Sequence, residues 1–500
     1  MLLGSLLEER ARTMPGKTAL VCGDLRATYA ELDGQSNRLA QALLERGIAP
    51  GERVALCLEN TPELVVGLFG TWKAGAAAVL VNPGTKPEKL AFLLGDSGAR
   101  ALLAPSKRFE ALEPAAEPRV RLASGADWSA ALAVTSAAAP DARCTPDDLA
   151  CLLYTSGSTG APKGVMHSHR SLASVTRSIV QYLGGSADDV VLSVLPLSFG
   201  YGLSQLLPTF AAGGTLVLER SFTFPQLTLQ RLASERATGF AMVPTIATIL
   251  LQHDLSKFDF SALRYLTNAG AGIAPALLRE LRAKLPHVRI FPMYGQTECI
   301  RASYLPPEEV DRRPTSVGKG IPGQELWIAD ENGQRLPPGN TGELVVCGAH
   351  VMLGYWRQPD ESARKLRPGQ RPGERELYTG DLFRVDEQGW FHFVARQDDI
   401  IKTRGEKVSP REVENVLLAC EGVLAAAVVG VPDPLLGQSV RAFVVQRPGA
   451  LPDEKAILRH CSRVLEEFAI PKRIIFLDDL PKTPNSKIDK QALLERSEAK

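Results

Sequence analysis

The most informative stretch of this chain is Tyr154-Thr155-Ser156-Gly157-Ser158-Thr159-Gly160-Ala161-Pro162-Lys163-Gly164. It directly follows the apolar run Leu149–Leu153, which predicts a buried strand. Glycines let backbone N–H groups close around an anion, hydroxyl groups donate further hydrogen bonds, and the lysine adds a positive charge. This combination predicts a loop that binds a polyphosphate. The stretch fits neither the G-x-x-x-x-G-K-[ST] loop of common ATPases nor the G-x-G-x-x-G fingerprint of dinucleotide-binding folds.

Four further motifs follow downstream of this phosphate loop. They are Tyr294–Glu298 (Tyr-Gly-Gln-Thr-Glu), Tyr378–Asp381 (Tyr-Thr-Gly-Asp), Arg396–Lys402 and Pro481–Lys487. In type and in order, the five motifs resemble those of the adenylate-forming superfamily, which contains acyl-CoA synthetases, aryl-CoA ligases, amino-acid adenylation domains and firefly-type luciferases. The resemblance begins at Thr28–Leu32 and covers nearly the whole chain. Because five separated motifs agree in order, we expect the fold of that superfamily.

Length and composition are typical of a globular enzyme. The chain has 500 residues, of which 45% are hydrophobic and 23% charged, so at least two domains are expected. It carries 57 basic and 56 acidic side chains, a net charge of +1, which predicts no nucleic-acid partner. No apolar run approaches the roughly 20 residues of a membrane span. Met1–Leu7 lacks the basic leader of a signal peptide, and the eight cysteines are scattered, so we expect a cytoplasmic protein with reduced thiols.

Strand-like apolar runs alternate with amphipathic helical stretches. Val54–Leu58 predicts a strand, Thr61–Gly75 a helix and Ala76–Val81 the next strand. Such alternation predicts an α/β fold with a large N-terminal domain of mostly parallel sheets covered by helices. We expect, in addition, a β-barrel-like subdomain and a small, mobile α+β C-terminal domain. The region from Pro105 to Pro146 is rich in Ala, Pro and Ser, and it is interpreted as a variable surface region.

The domain boundary is predicted near Ala395–Asp399. It divides the chain into an N-terminal AMP-binding adenylation domain, 1–397, and a C-terminal mobile lid domain, 398–500. The pattern Ser409–Glu412 predicts a capped helix at the start of the second domain.

The resemblance implies a reaction in two steps, with ATP as a substrate. A carboxylate attacks the α-phosphate, pyrophosphate leaves, and the resulting acyl-AMP passes its acyl group to a thiol. We expect the phosphate loop to bind ATP through Thr155, Ser156, Gly157, Ser158, Thr159, Gly160 and Lys163.

Metal binding is expected beside the phosphates. In the superfamily the glutamate of the Tyr-Gly-x-Thr-Glu motif helps to bind Mg²⁺, and here that residue is Glu298. Thr155 is the second candidate ligand, because Mg²⁺ prefers oxygen donors and phosphate oxygens. Thr297 is expected to contact the α-phosphate.

The nucleoside is expected to lie against the other motifs. The resemblance implies that Tyr294 stacks on adenine, with Gly295 beside it. The segment Asn268-Ala269-Gly270 resembles the adenine-side loop of the superfamily. Asp381 is expected to accept hydrogen bonds from the ribose hydroxyls, and Arg396 to donate one.

The catalytic cation of the first step is expected to be Lys487. In the superfamily this lysine reaches from the C-terminal domain to bridge the attacking carboxylate and the phosphate, a role that suits a mobile ammonium group. Glycine usually precedes it, whereas this chain has Ser486, so the local loop geometry can differ.

The second step requires the thiol to replace this lysine. The superfamily achieves this by rotating the C-terminal domain about a hinge residue that corresponds to Asp398. Lys402 is then expected to face the active site, and Gly405 to border the tunnel through which a pantetheine arm passes.

The acyl pocket is expected to contain Phe199, Gly200, Tyr201, Met293 and Cys299. Amino-acid-activating members carry an aspartate that pairs with the substrate ammonium, and Gly200 stands at that position. A buried ammonium would lack a counter-ion there, which argues against an α-amino acid substrate. The segment Phe199–Leu203 resembles the benzoate-type CoA ligases, so an aryl or medium-length aliphatic acid is expected.

The acceptor stays open at this point. The leading hypothesis is a carboxylate–CoA ligase, and the alternative is a stand-alone ligase that loads the phosphopantetheine of an acyl or peptidyl carrier protein. A luciferase-like oxygenase shares the fold, but no motif indicates it. A non-catalytic nucleotide-binding scaffold is disfavoured, because Glu298, Asp381, Arg396 and Lys487 are all retained.

Overall fold

The computed structural model describes residues 1–110, 112, 118–141, 143–156, 162–369, 371, 374–404, 406–447, 449–450, 453–483 and 488–498. The first part of the chain alternates helices and strands as the sequence predicts. Its elements are α1 Gly4–Thr13, β1 Thr18–Cys22, β2 Leu25–Thr28, α2 Tyr29–Glu45, β3 Arg53–Leu56, α3 Pro62–Lys73, β4 Ala77–Leu80, α4 Pro87–Ser97, β5 Ala101–Ala104, α5 Ser106–Glu110, β6 Val120–Ala123, α6 Ala126–Ala133, β7 Leu149–Ser156, β8 Pro162–Ser168 and α7 His169–Leu183.

The middle of the chain continues this alternation and then becomes rich in strands. Its elements are β9 Val190–Ser193, α8 Gly200–Ala212, β10 Thr215–Leu218, α9 Pro225–Ser234, β11 Gly239–Met242, α10 Pro244–Leu251, β12 Tyr265–Asn268, α11 Pro275–Lys284, β13 Arg289–Tyr294, β14 Ser303–Tyr304, β15 Lys319–Gly320, β16 Glu325–Ala329, β17 Arg335–Leu336, β18 Thr341–Cys347, β19 Gly354–Tyr355, α12 Pro359–Lys365, β20 Leu366–Pro368, β21 Arg375–Val385 and β22 Phe391–Arg396.

The C-terminal part is a small α+β unit that follows a 3₁₀ turn at Gln397–Asp399. Its elements are β23 Ile401–Thr403, β24 Glu406–Val408, α13 Pro410–Leu418, β25 Val423–Asp433, β26 Gly437–Gln446, α14 Glu454–Cys461, β27 Arg473–Phe476 and α15 Lys490–Glu498. Alternate residues of β25 enter two separate cores of this unit: Val428 lies in one, and Ala427 and Val429 lie in the other. This alternation is the two-residue period of a strand that is covered on both faces.

Two sheets that are mostly parallel make up the body of the N-terminal part. One has the strand order β19-β8-β7-β4-β3-β5-β6, and the other has the order β15-β14-β13-β12-β11-β9-β10-β1-β2. An antiparallel sheet with the order β17-β16-β18-β21-β20, with β22 on β21, is the small subdomain expected before the C-terminal unit. The α/β fold class predicted from the sequence is therefore confirmed.

Helices α3 and α8 form the centre of the large core. Every residue from Leu64 to Trp72 is buried, and so is every residue from Gly200 to Phe210. The two helices meet where the stacked rings of Phe69 and Phe210 lie 5.6 Å apart. A helix that is apolar on all sides belongs in a protein interior, so α8 carries its first residues, Gly200 and Tyr201, into the core.

Helix-capping patterns in the sequence predicted the starts of two helices correctly. Thr28 and Glu31 form the capping box expected at the start of α2, and Ser409 caps α13. The interpretation of Pro105–Pro146 as a surface region was incomplete, because β6 pairs in parallel with β5 at the edge of a sheet. Within the described ranges, no helix is both long enough and apolar enough to cross a membrane.

Candidate active site

The phosphate-loop motif occupies the end of an antiparallel hairpin. Strands β7 and β8 pair so that Thr155 lies opposite Lys163, and the backbone of Ser156 lies opposite Pro162. The candidate residues Gly157, Ser158, Thr159 and Gly160 lie outside the described residues. The strand pairing therefore brings the two ends of the motif, one with a hydroxyl group and one with a lysine, side by side.

Tyr355 joins the hairpin to the Tyr-Gly-Gln-Thr-Glu motif. It pairs with Val165 in the sheet, and its hydroxyl group donates a 2.7 Å hydrogen bond to Oε1 of Glu298. The ammonium of Lys163 lies 5.5 Å from the centre of the Tyr355 ring and forms a 2.6 Å ion pair with Glu361. Burial, with the negative charges of Glu298 and Glu361, raises the pKa of Tyr355, so this hydroxyl stays a neutral donor. The structure therefore brings Lys163 and Glu298 to the same tyrosine.

A histidine, His167, is hydrogen-bonded to the backbone of Thr297. Nε2 of His167 lies 2.7 Å from the Thr297 carbonyl oxygen, which can only accept, so Nε2 carries the proton. Burial lowers the pKa of His167 to about 4, so the imidazole is neutral near pH 7. The main-chain position of Thr297 beside Glu298 is thus fixed by an uncharged side chain from β8.

Asp381 is the centre of a second polar cluster. It lies opposite Arg396 in the antiparallel pair β21–β22. Its carboxylate accepts hydrogen bonds from the Tyr294 hydroxyl group at 2.6 Å and from Nε of Arg396 at 3.3 Å. Burial raises the pKa of Asp381, and the neighbouring Arg396 and the Tyr294 hydrogen bond oppose that shift. Three residues predicted to hold the nucleoside are therefore in direct contact.

Tyr294 makes several contacts within the protein in addition to its hydrogen bond with Asp381. Its ring packs edge-on against Phe383, with 4.9 Å between ring centres. Gln296 donates a 3.2 Å hydrogen bond to the Tyr294 hydroxyl oxygen. The neighbouring Gly295 has a packing role, because a Cβ atom there would lie 2.5 Å from the Ile300 carbonyl oxygen. The expected adenine stacking by Tyr294 stays a prediction.

The adenine-side segment lies at the end of β12. Nδ2 of Asn268 donates to the Ala271 carbonyl oxygen, whereas its buried Oδ1 has no hydrogen-bond partner among the described residues. Ala269 is buried, and Gly270 has the left-handed φ of +85°. This loop therefore presents an unused acceptor at the edge where parallel strands end, a usual location for ligands in α/β folds.

The predicted acyl-pocket residues form a largely apolar wall. Phe199 and Tyr201 pack edge-on with ring centres 6.5 Å apart, and the Tyr201 hydroxyl is hydrogen-bonded to Thr267 at 2.7 Å. Met293 and Cys299 are buried, and burial raises the pKa of the Cys299 thiol to about 12. The thiol therefore stays protonated, which suits an apolar wall rather than a nucleophile.

Gly200 leaves little room for a side chain. A Cβ atom at this position would lie 3.0 Å from Cδ1 of Ile300 and 3.9 Å from Cδ1 of Leu153. Ile300 is itself unusual, because it is a β-branched residue with a φ of +60°. A carboxylate side chain at position 200 would require Ile300 to shift, and this chain has glycine there instead.

The C-terminal candidates are only partly described. Lys487 and Gly405 lie outside the described residues. Asp398 lies in the exposed 3₁₀ turn between the two parts of the chain, and the Lys402 side chain is exposed on β23. The neighbouring Arg404 pairs with Glu467 of the same C-terminal unit. Lys402 is therefore exposed to solvent in this arrangement.

One side chain of the C-terminal unit reaches the adenine-side loop. Nη2 of Arg411, on α13, donates a 2.5 Å hydrogen bond to the carbonyl oxygen of Gly272. A Cβ atom at residue 272 would lie 3.0 Å from that guanidinium, so the contact depends on glycine. The two parts of the chain therefore meet beside the candidate nucleotide site.

The site contains residues that sequence reasoning did not select. Tyr355, Glu361, His167 and Arg301 lie next to predicted residues, although none belongs to the matched segments. The aromatic pair Tyr355-Trp356 after Gly354 is the one local signal that could have indicated a packed turn. Among the described residues, no group of three or more His, Cys, Asp or Glu side chains could hold a metal ion by itself.

Comparisons with known proteins identify the family of this chain. Residues 7–356 match the model of the AMP-binding enzyme family, and residues 412–487 match that of the AMP-binding enzyme C-terminal domain. Feruloyl-CoA synthase of an Amycolatopsis species is 35% identical over 502 residues, covering 99% of this chain and 99% of that protein. Bacitracin synthase 3 of Bacillus licheniformis is 33% identical over 497 residues, 98% of this chain, but this chain spans only 8% of its length.

A solved structure gives the same result for the fold. The crystal structure of ATP-bound MatB from Rhodopseudomonas palustris superimposes with a TM-score of 0.90 and 32% sequence identity, covering 99% of each chain. The family models, the full-length relative and this structural neighbour agree. The chain therefore belongs to the AMP-binding enzyme family, within the adenylate-forming superfamily.

Proposed function

We propose that this protein is a carboxylate–CoA ligase, which makes an acyl-AMP from ATP and a carboxylic acid and then transfers the acyl group to CoA. The observation that carries the proposal is the convergence of Lys163 and Glu298 on Tyr355. A phosphate-binding cation and a metal-binding carboxylate must lie close together if both act on one polyphosphate.

The donor set around Glu298 fits Mg²⁺. This cation usually keeps water molecules and takes one or two protein carboxylates together with substrate phosphates, so a three-residue cage is not required. Glu298, with the Thr155 hydroxyl as second candidate, would hold it, and the ion would neutralise phosphate charge when bound. Tyr355 orients Glu298 by a hydrogen bond from one side, which leaves the second carboxylate oxygen as the candidate metal ligand.

The second cluster suits the nucleoside. Asp381 is 6% exposed and is held by Tyr294 and Arg396, so its direction is fixed before a ligand arrives. A carboxylate in this state can accept hydrogen bonds from two neighbouring ribose hydroxyls. The free Oδ1 of Asn268 is a fitting acceptor for the adenine amino group.

The first step then needs a cation at the reacting atoms. A carboxylate oxygen bonds to the α-phosphorus while the bond from that phosphorus to the pyrophosphate oxygen breaks. We assign to Lys487 the stabilisation of the charge that moves between these oxygens. We place the domain boundary between residues 397 and 398, because Gln397–Asp399 forms the exposed turn between the two sets of cores.

The second step uses the same cleft after the C-terminal unit has turned about Asp398. The thiol sulfur bonds to the acyl carbon, the bond from that carbon to the AMP oxygen breaks, and the thiol proton leaves to solvent. Lys402 and Gly405 would then border the incoming pantetheine. The exposed Lys402 is available for this movement in the arrangement described above.

The acid is proposed to be an aryl or medium-length aliphatic acid. The wall formed by Phe199, Tyr201, Met293 and Cys299 supports an apolar body for the substrate. The absence of a carboxylate at Gly200, which would leave a substrate ammonium without a counter-ion there, argues against an α-amino acid. Feruloyl-CoA synthase, a relative that this chain matches over its full length, is named for an aryl acid.

A carrier-protein acceptor is the second candidate. The 33% identity to bacitracin synthase 3, a far longer protein, supports it. In that case the thiol would be the phosphopantetheine of an acyl or peptidyl carrier protein, and the first step would be unchanged.

Pyrophosphate release over a panel of carboxylic acids tests the proposal. The panel is assayed with ATP and Mg²⁺, first without acceptor, then with CoA, and then with a phosphopantetheinylated carrier protein. We expect acid-dependent release that CoA accelerates, with acyl-CoA as the product. Acceleration by the carrier protein alone would select the second candidate, and no acid-dependent release with any acid would contradict adenylation.

A further inference from the structure

Arg301 is the largest fully buried side chain of the described structure that carries a charge, with 2% of its surface exposed. Its guanidinium carbon lies 4.9 Å from the centre of the Tyr201 ring, and Nη2 donates a 3.3 Å hydrogen bond to the Ser204 hydroxyl oxygen. Its Nε has no hydrogen-bond partner among the described residues. Arginine remains charged at every accessible pH, so this site holds a permanent buried positive charge.

This charge has no internal counter-ion within the part of the chain that the structure describes. Among the described residues, no carboxylate forms an ion pair with Arg301, although Arg264, Arg313 and Arg396 each have one. The face of Tyr201 and the neutral hydroxyl groups of Ser204 and Tyr182 provide only partial compensation for removing a guanidinium from water. Buried charges in proteins are normally paired, so an unpaired one indicates a missing anionic partner.

The chain path places Arg301 in the acyl wall. The turn from Gly295 to Arg301 connects β13 to β14, and the left-handed backbone of Ile300 reverses the chain inside it. Ile300 packs against the start of α8, where its Cδ1 limits the space at Gly200. Glu298 contacts Tyr355 on the phosphate side, whereas Arg301 contacts Tyr201, which belongs to the predicted acyl pocket.

Tyr182 and Met293 extend the same wall. The Tyr182 hydroxyl group lies 3.1 Å from Sδ of Met293, which precedes the motif by one residue. Burial raises the pKa of Tyr182, and both the positive charge of Arg301 and a side-chain hydrogen bond with Arg301 oppose that shift. The guanidinium is thus surrounded by neutral aromatic and hydroxyl groups.

We propose that Arg301 binds a second carboxylate of the substrate, so that this enzyme activates dicarboxylic acids at the carboxyl group farther from Arg301. The inference rests on the proposed adenylation reaction and specifies its substrate class. The distal carboxylate pairs with the guanidinium through two parallel hydrogen bonds, the geometry that arginine favours. The apolar wall contacts the carbon skeleton between the two carboxyl groups.

The test uses matched pairs of acids in acid-dependent ATP–pyrophosphate exchange. Each benzene dicarboxylic acid is compared with the methylbenzoic acid of the same substitution, and each α,ω-dicarboxylic acid with a monocarboxylic acid of the same length. For the wild-type protein, we expect kcat/KM to favour the dicarboxylic member of at least one pair by roughly 100-fold. A preference for the monocarboxylic member in every active pair would overturn the assignment while leaving adenylation intact.

Two substitutions sharpen the result. Arg301→Met keeps the length of the side chain without the charge and is expected to reverse the preference, mainly by raising KM for the dicarboxylic acid. Arg301→Lys keeps the charge and is expected to retain part of the preference. Ser204→Ala, which removes only the neutral partner, is the control and should leave the preference within about threefold of wild type. An unchanged preference in Arg301→Met would contradict the proposal.

A binding measurement on the wild-type protein does not depend on any variant folding. The shift in thermal unfolding temperature with each acid should be larger for the preferred dicarboxylic acid than for its monocarboxylic partner. Equal shifts would count against the assignment. If no acid supports exchange at all, the proposed function fails and this inference fails with it.

Discussion

The two sides of the candidate site differ in whether their cationic side chains have acidic partners. On the nucleotide side, Lys163 is paired with Glu361 at 2.6 Å, and Arg396 with Asp381 at 3.3 Å. On the acyl side, Arg301 is more deeply buried than either and has no acidic partner among the described residues. The cations of the nucleotide side are therefore neutralised within the protein, and the cation of the acyl side is not.

This difference in ion pairing suggests two roles: the paired cations of the nucleotide side are held in place before a ligand binds, and the unpaired Arg301 of the acyl side can select its ligand. An internal ion pair near the surface is weak, so Lys163 can exchange Glu361 for a phosphate at small cost. A buried, unpaired guanidinium is a costly arrangement, and a ligand that neutralises it gains a large differential interaction. We infer that the nucleotide side is held ready for ATP, which all members of the family share, and that the acyl side is specialised for one class of acid.

The largest expected effect concerns Lys487, the proposed catalytic cation from the C-terminal unit. Lys163 and Arg396 are engaged in ion pairs with Glu361 and Asp381, and we propose that the charge at the attacking carboxylate comes from Lys487. Lys487→Ala is therefore expected to lower acid-dependent ATP–pyrophosphate exchange by at least about 1000-fold. The conversion of supplied acyl-AMP and thiol to thioester should stay within about threefold of wild type, since that step does not use this lysine.

The matched control for this variant is Lys490→Ala, in which a neighbouring lysine paired with Asp399 is removed. It should retain most of the exchange activity. Equal losses of both half-reactions in Lys487→Ala would contradict the assigned role.

The next effect tests the negative charge of Glu298 on the nucleotide side. Glu298→Gln keeps the size of the side chain and its acceptor oxygen for Tyr355 but removes the negative charge. We expect exchange to fall by about 100-fold, together with a higher Mg²⁺ requirement. Glu325→Gln, in an exposed pair with Arg335, is the control and should be unaffected. Wild-type Mg²⁺ dependence in Glu298→Gln would remove Glu298 from the metal site.

A smaller effect is expected at the turn between the two parts of the chain. Asp398→Pro fixes φ where rotation is proposed, so thioester formation should fall by at least about tenfold while adenylation is retained. Asp398→Ala leaves the backbone free and serves as the control. Single-turnover measurement of each half-reaction separates the two steps, and unchanged thioester output from the proline variant would exclude the hinge.

The smallest effect concerns the neutral histidines beneath the nucleotide side. Burial lowers the pKa of His167 to about 4 and that of His350 to about 3. The unfolded chain therefore binds more protons than the folded one below about pH 6.5, and stability must decrease as the pH falls through that value. Each such histidine contributes a slope of about 1.4 kcal/mol per pH unit.

His350→Gln removes one of these titrations without touching Thr297. The free energy of unfolding, measured by urea denaturation between about pH 6 and pH 4.5, should then depend less steeply on pH than in wild type. Parallel pH dependences would show that His350 is not buried in its neutral form.

The sequence predicted the parts of the site that depend on short motifs. The strand before the phosphate loop and the capping box at Thr28 were predicted correctly. The structure brings Tyr294, Asp381 and Arg396 into contact, and their roles toward the nucleoside stay predictions. These features follow from local patterns or from the resemblance, so no tertiary information was needed to find them.

Other contacts depend on tertiary structure and could not be predicted. Tyr355 reaches Glu298 only because β19 pairs with β8, and no local pattern specifies that pairing. Arg301 is buried directly after Ile300, whose left-handed backbone conformation propensity disfavours for a β-branched residue. A charged residue three positions after a motif glutamate would ordinarily be interpreted as exposed.

The most direct test of adenylate formation is the fate of oxygen atoms from the acid. A carboxylic acid labelled with oxygen-18 in its carboxyl group is incubated with ATP, Mg²⁺, CoA and the wild-type protein, and the released AMP is analysed by mass spectrometry. Attack of the carboxylate on the α-phosphate predicts that one labelled oxygen appears in AMP for each acyl-CoA formed. Unlabelled AMP, or ADP as the nucleotide product, would contradict the account.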